Sequence, residues 1–229
     1  MTRKKICVLI LFVFGLFTLT ACGKNNINLH DHVIELRENL FVASDDIYSV
    51  SFSTGMRESD YNFDGIVTEM VPFGVLTLTR NNNSSLANDT YSYIVTINDQ
   101  TYSGFLEKNN NDNSYSADLE VSTTGDEAIN VQISFTGYSF NQNLENISKS
   151  FQVDSQTALK LAQNELKKDI ENLLSDNNIK IEVVMKIMKD YSAENAKHYY
   201  WYVGIISTNG ETMGILLDAN NGEVIAKKV

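Results

Sequence analysis

Tyr93-Ile94-Val95-Thr96-Ile97-Asn98-Asp99-Gln100-Thr101-Tyr102-Ser103-Gly104-Phe105 alternates apolar and polar residues on both sides of Asn98-Asp99. Asn and Asp both tolerate positive φ, so a two-residue turn between two strands fits this stretch. A helix would scatter these apolar residues around its circumference, whereas a period of two puts them on one face of a sheet. The same period runs through 47–52, 75–79, 115–121 and 129–135. Each such strand sets one face against a core and the other in water. The segment 33–147 is therefore predicted to form an antiparallel β-sandwich, immunoglobulin-like in size but without a cysteine–tryptophan signature. Pro72, the only proline, is expected at an edge or a bulge, because it has no N–H to give to a ladder. The stretch 33–42 reads either as a strand or as a short helix.

From residue 150 to 229 the period changes. Ala158, Ala162, Leu166, Ile170 and Leu173 or Leu174 recur at helical spacing, with Asp154 or Ser155 placed to cap the N-terminus. Strands follow at 179–188, 199–207, 212–218 and 223–228. Asn209-Gly210 and Asn221-Gly222 give the strongest turn signals in the chain. One helix stripe must then cover one face of an antiparallel meander.

Three pieces of this part resemble the PepSY domain. They are Ser155-Gln156-Thr157-Ala158-Leu159-Lys160-Leu161-Ala162, the aromatic strand Tyr199-Tyr200-Trp201-Tyr202-Val203, and Asp218-Ala219-Asn220-Asn221-Gly222-Glu223-Val224-Ile225. The resemblance implies a small cystatin-like helix-plus-antiparallel-sheet domain over 150–229. It also implies inhibition or local regulation of a peptidase, or more broadly protein binding. No protease domain accompanies it, so a peptidase would be held in trans. The family has no fixed catalytic set, so no catalytic residue is carried over. Of Tyr199, Tyr200, Trp201 and Tyr202, alternation sends two into the core and leaves two on the open sheet face. An exposed aromatic pair there is a candidate partner-binding surface.

The N-terminus places the protein. Arg3, Lys4 and Lys5 precede an almost unbroken apolar run over 6–17, and Leu19-Thr20-Ala21-Cys22 follows. A basic start, an apolar stretch too short to be a good membrane span, and small residues make an export signal. The last four residues resemble the bacterial lipobox. That implies removal of a signal at 1–21, lipidation of Cys22, and a polar tether at 22–32 outside the cytoplasm. Each buried methylene contributes about 0.8 kcal/mol, and stable anchoring needs more than one acyl chain. The other reading is an ordinary secretory signal with a chance cysteine. Cys7 leaves with the signal and Cys22 is lipidated, so disulfides, thiolate zinc sites and cysteine nucleophiles are excluded.

Loss of the three basic residues lowers Lys plus Arg from 18 to 15 against 29 acids, a net charge of −14. Such a chain is repelled by nucleic acid and by anionic lipid heads. Catalysis has little support: His30, His32 and His198 are the only histidines, and no HExxH, serine elbow or glycine-rich phosphate loop is present. A non-enzyme is expected. His30-Asp31-His32 offers too few ligands for a transition metal. Asp60-Tyr61-Asn62-Phe63-Asp64-Gly65 matches the start of a calcium loop, with oxygens from Asp60, Asn62 and Asp64 and a glycine for the turn. Its twelfth position is Val71, not the bidentate glutamate, and an Asn- and Asp-rich β-connection is the other reading.

The expected protein is a membrane-anchored extracytoplasmic lipoprotein. It binds another envelope protein without catalysis, and a peptidase regulated in trans is the partner the resemblance implies. The alternative is a calcium- or ligand-binding surface lipoprotein whose PepSY-like part is structural. No cofactor beyond Ca2+ is implied.

Overall fold

A computed structural model describes residues 27–60, 62–81, 89–110, 112–176, 178–189 and 198–229. The expected export signal, Cys22 and the first part of the expected tether lie outside these residues, as does Tyr61. The first eight strands are β1 (Val33–Ser44), β2 (Tyr48–Glu58), β3 (Met70–Arg80), β4 (Tyr91–Ile97), β5 (Gln100–Lys108), β6 (Tyr115–Leu119), β7 (Ile129–Phe135) and β8 (Tyr138–Asn146). Helix α1 (Ser155–Leu173) follows, and then β9 (Ile181–Lys189), β10 (Tyr199–Ser207), β11 (Thr212–Asp218) and β12 (Val224–Lys228). Asn98 and Asp99 adopt φ of 45° and 73° between β4 and β5, as a two-residue turn requires.

The β-sandwich expectation is overturned. The first eight strands run β1-β2-β3-β6-β5-β4-β7-β8, and every neighbouring pair is antiparallel. β8 then returns to β1 through Phe41↔Asn146 and Val42↔Glu145, which closes a barrel. Alternation shows that one face is buried. It does not show whether a second sheet covers that face or the same sheet curls onto itself. The closing strand also hides itself, because only Phe140 and Leu144 are buried in Tyr-Ser-Phe-Asn-Gln-Asn-Leu-Glu-Asn. Phe41, Phe52, Leu76, Val95, Val131 and Phe140 belong to the core inside the ring. Eight strands leave an interior that side chains can fill.

The separate cystatin-like domain is overturned with it. Helix and meander do form, and Asp154 caps α1 by accepting the Thr157 N–H at 2.7 Å. However, β9 pairs in parallel with β1, through Leu36↔Met185 and Arg37↔Lys186. The meander therefore extends the barrel sheet, and all twelve strands form one sheet. The core under α1 is shared as well. Ala158, Ala162, Leu166 and Ile170 pack with β9–β11 and with Leu29 and Leu40 from the N-terminal part. Leu29 starts a short 3-10 turn, is fully buried, and donates its N–H to Gln163 Oε1 at 3.0 Å. A parallel pairing between distant strands leaves no local trace in a sequence.

Two smaller readings resolve simply. The stretch 33–42 is strand, because β1 has partners on both sides. Pro72 opposes Met56 of β2 but lies outside Gly74–Leu78, the part of β3 that pairs with β6. It sits where β3 has one ladder neighbour, the position its missing N–H allows.

Candidate functional site

The outer wall of the barrel meets the open face of the C-terminal sheet along β1 and β9. Ser49, Ser51 and Ser53 of β2 and Thr77 and Thr79 of β3 alternate with the buried Val50, Phe52, Leu76 and Leu78. This row of hydroxyls forms one wall of a cleft of about 550 Å³. Arg37 of β1 and Lys186, Met188 and Lys189 of β9 line the same cleft, with Tyr199. Three basic residues thus line one cleft of a chain with an excess of acids, with Glu145 as the acid among them.

Their surroundings keep these cations partly desolvated. Arg37 Nε donates to Glu35 Oε1 at 2.7 Å, and its guanidinium reaches Ser53 Oγ at 3.5 Å. Burial, and then the charge of Arg37, push the Lys186 ammonium below its ordinary value. Burial does the same to Lys189. An anion entering the cleft would favour the charged form of both, because an opposite charge nearby favours ionisation.

A second cleft of about 470 Å³ continues across the open sheet face and shares Lys186 and Met188 with the first. Its lining adds Tyr202, Leu216 and Lys228. Tyr202 lies flat on the sheet because two glycines make room for it. A Cβ at Gly204 would come within 2.5 Å of the Tyr202 hydroxyl, and one at Gly214 within 3.2 Å of its ring. The Lys186 ammonium sits 5.7 Å from the centre of that ring, in cation–π range. The two clefts together make a groove with a hydroxyl wall, a cationic middle and an aromatic floor.

The four aromatic residues singled out from the sequence divide between the faces. Trp201 is 2 % exposed, and its indole N–H donates to the Val153 carbonyl at 2.8 Å. It belongs to the core under α1 and presents no surface to a partner. Tyr199 packs against that core and meets Phe151 with ring centres 5.5 Å apart. Tyr200 and Tyr202 alternate onto the open face. Sequence reasoning missed Arg37, Lys186 and Lys189. The one available signal was Lys186, a charge inside the apolar run Val183-Val184-Met185-Lys186-Ile187-Met188.

The calcium-like motif lies elsewhere, in the connection between β2 and β3. Asp60, Asn62 and Asp64 are all exposed. The Asn62 N–H donates to the Asp60 carbonyl at 2.6 Å, and Asp64 Oδ1 accepts the Ile66 N–H at 2.9 Å. These are local turn bonds, and Gly65 takes φ of 75° between them. Among the described residues, no group of three or more His, Cys, Asp or Glu side chains converges on a metal position. The connection rests instead on two buried glutamates. Glu182 Oε1 accepts the Gly65 N–H at 2.5 Å, and Glu58 Oε1 accepts the Thr68 N–H.

Comparison with protein-family models, curated proteins and solved structures finds no match to this chain.

Proposed function

We propose that this protein is a lipid-anchored, extracytoplasmic, non-enzymatic binding protein whose groove takes an acidic segment of another envelope protein. The observation that carries the reading is the convergence of Arg37, Lys186 and Lys189 in one cleft of a strongly acidic chain. A general anion attraction is ruled out by the net charge, so attraction has to be local. The hydroxyl row suits backbone and carboxylate groups of an extended segment, and Tyr202 offers a flat aromatic contact of the kind found in binding hot spots. A peptidase regulated in trans is the partner that the PepSY resemblance implies.

The test is a titration of fluorescent acidic, neutral and basic peptides against the full chain in detergent. The acidic peptide is expected to bind best, and more weakly as salt rises. Lys186→Glu is expected to weaken it by at least about tenfold, since it replaces an attraction by a repulsion inside a partly desolvated cleft. Equal binding of the three peptides, or an unchanged affinity in Lys186→Glu, would refute the reading.

Anchoring has its own check. Cys22→Ala is expected to move the protein from the membrane fraction into the soluble fraction, because the acyl chains supply the attachment. A variant that still sediments with membranes would show that Cys22 is not the anchor.

A further inference from the structure

The two glutamates beneath the β2–β3 connection have no place in the groove. Glu58 ends β2 and Glu182 lies in β9, and they are 1 % and 2 % exposed. Each carboxylate uses one oxygen, for the N–H of Thr68 and of Gly65 respectively. Those two donors stand three residues apart, so both carboxylates support one turn. The other oxygen of each, Oε2, is buried without a hydrogen-bond partner. No ion pair among the described residues includes either glutamate. Lys180 packs its stem against Gly65 but is ion-paired with neither.

Burying two like charges without compensation is strongly unfavourable, so something must neutralise them. A shared proton neutralises one. A divalent cation neutralises both and takes both free oxygens as ligands. The turn they support carries Asp60-Tyr61-Asn62-Phe63-Asp64-Gly65, the oxygen-rich sequence whose twelfth-position carboxylate is missing. We infer that Glu58 and Glu182 are ligands of a hard divalent cation, of the calcium class, seated beneath the β2–β3 connection. No third acid side chain converges there, so backbone carbonyls and water complete the oxygen shell that such an ion requires. The cation would tie a barrel connection to β9, the strand that also carries Lys186, and so stiffen one side of the groove.

The experiment is thermal unfolding of the full chain in detergent, in calcium and in chelator, at pH 7.5. Millimolar calcium is expected to raise the melting temperature by roughly 5 °C over chelator. Glu182→Gln and Glu58→Gln should fold and lose most of the shift, because a neutral amide of the same shape removes the buried charge that the ion would neutralise. Asp60→Asn, on the exposed side of the turn, should keep it. No calcium shift in the wild type would overturn the proposal. A shift that survives Glu182→Gln but vanishes in Asp60→Asn would overturn it equally, by putting the ion on the exposed turn.

Discussion

Trp201→Ala is expected to destabilise the protein by about 4 kcal/mol, as large aromatic-to-alanine changes in cores do. Two losses combine at this site. The indole leaves a cavity between β10 and α1, where Val203, Ile205, Leu166 and Ala162 belong to the same core. The Val153 carbonyl also loses the indole N–H as a donor, in a buried setting. Urea or guanidinium unfolding should show a lower midpoint with the slope unchanged, since the surface exposed on unfolding is nearly the same. Trp201→Phe should recover most of the packing and retain only the hydrogen-bond loss, about 1 kcal/mol. Trp201 is the sole tryptophan, so wild-type emission reports this position directly. It should be blue-shifted and resistant to a soluble quencher. A red-shifted, quenchable emission, or an alanine variant within about 1 kcal/mol of wild type, would place Trp201 outside the core.

Trp201 also marks the limit of what alternation can say. The sequence Tyr199-Tyr200-Trp201-Tyr202 states that neighbours face opposite ways, and they do. It does not state which face α1 covers, because that follows from register with β9 and β11. The helix was readable residue by residue, from the Asp154 cap to Ile170, since a period and a cap are local. The barrel was not. Its closure depends on Phe41 meeting Asn146, and its fusion to the meander on Leu36 meeting Met185. Both pairings are long-range, and main-chain hydrogen bonds leave no mark on the identity of the residues they join. The groove was hidden for the same reason. Arg37 and Lys186 are register partners across a parallel ladder, although nothing near either residue in the sequence announces the other. The glutamate pair differs in kind. Asp60 to Gly65 was visible as an oxygen-rich turn, whereas Glu182 joins it only after folding.

Gly55→Val should have an effect of similar size and should also abolish the groove. Gly55 of β2 pairs with Arg37, next to a register shift between Arg37 and Asn39. The shift leaves Glu38 as the extra residue of a bulge, and Glu38 Oε2 accepts the Ser155 hydroxyl at 2.9 Å, at the start of α1. A Cβ at Gly55 would collide with the backbone carbonyl of Leu36 and crowd the Arg37 backbone. Backbone cannot swing aside as the end of a side chain can, so β1 and β2 must separate. Overpacking costs about 1–3 kcal/mol, and each ladder bond lost adds about 1 kcal/mol. Together these give about 4 kcal/mol for valine, with alanine close behind because the clash begins at Cβ. The same separation moves the β2 hydroxyl row, Ser53 first, away from Arg37 and so pulls one wall off the groove. Acidic-peptide affinity should therefore fall in Gly55→Ala as far as in Lys186→Glu, even where enough folded protein remains to measure it. A Gly55→Ala variant within about 0.5 kcal/mol of wild type would mean that β1 and β2 are not locked at this bulge. Normal peptide affinity in a destabilised Gly55→Ala would instead separate the groove from the bulge that this geometry makes its support.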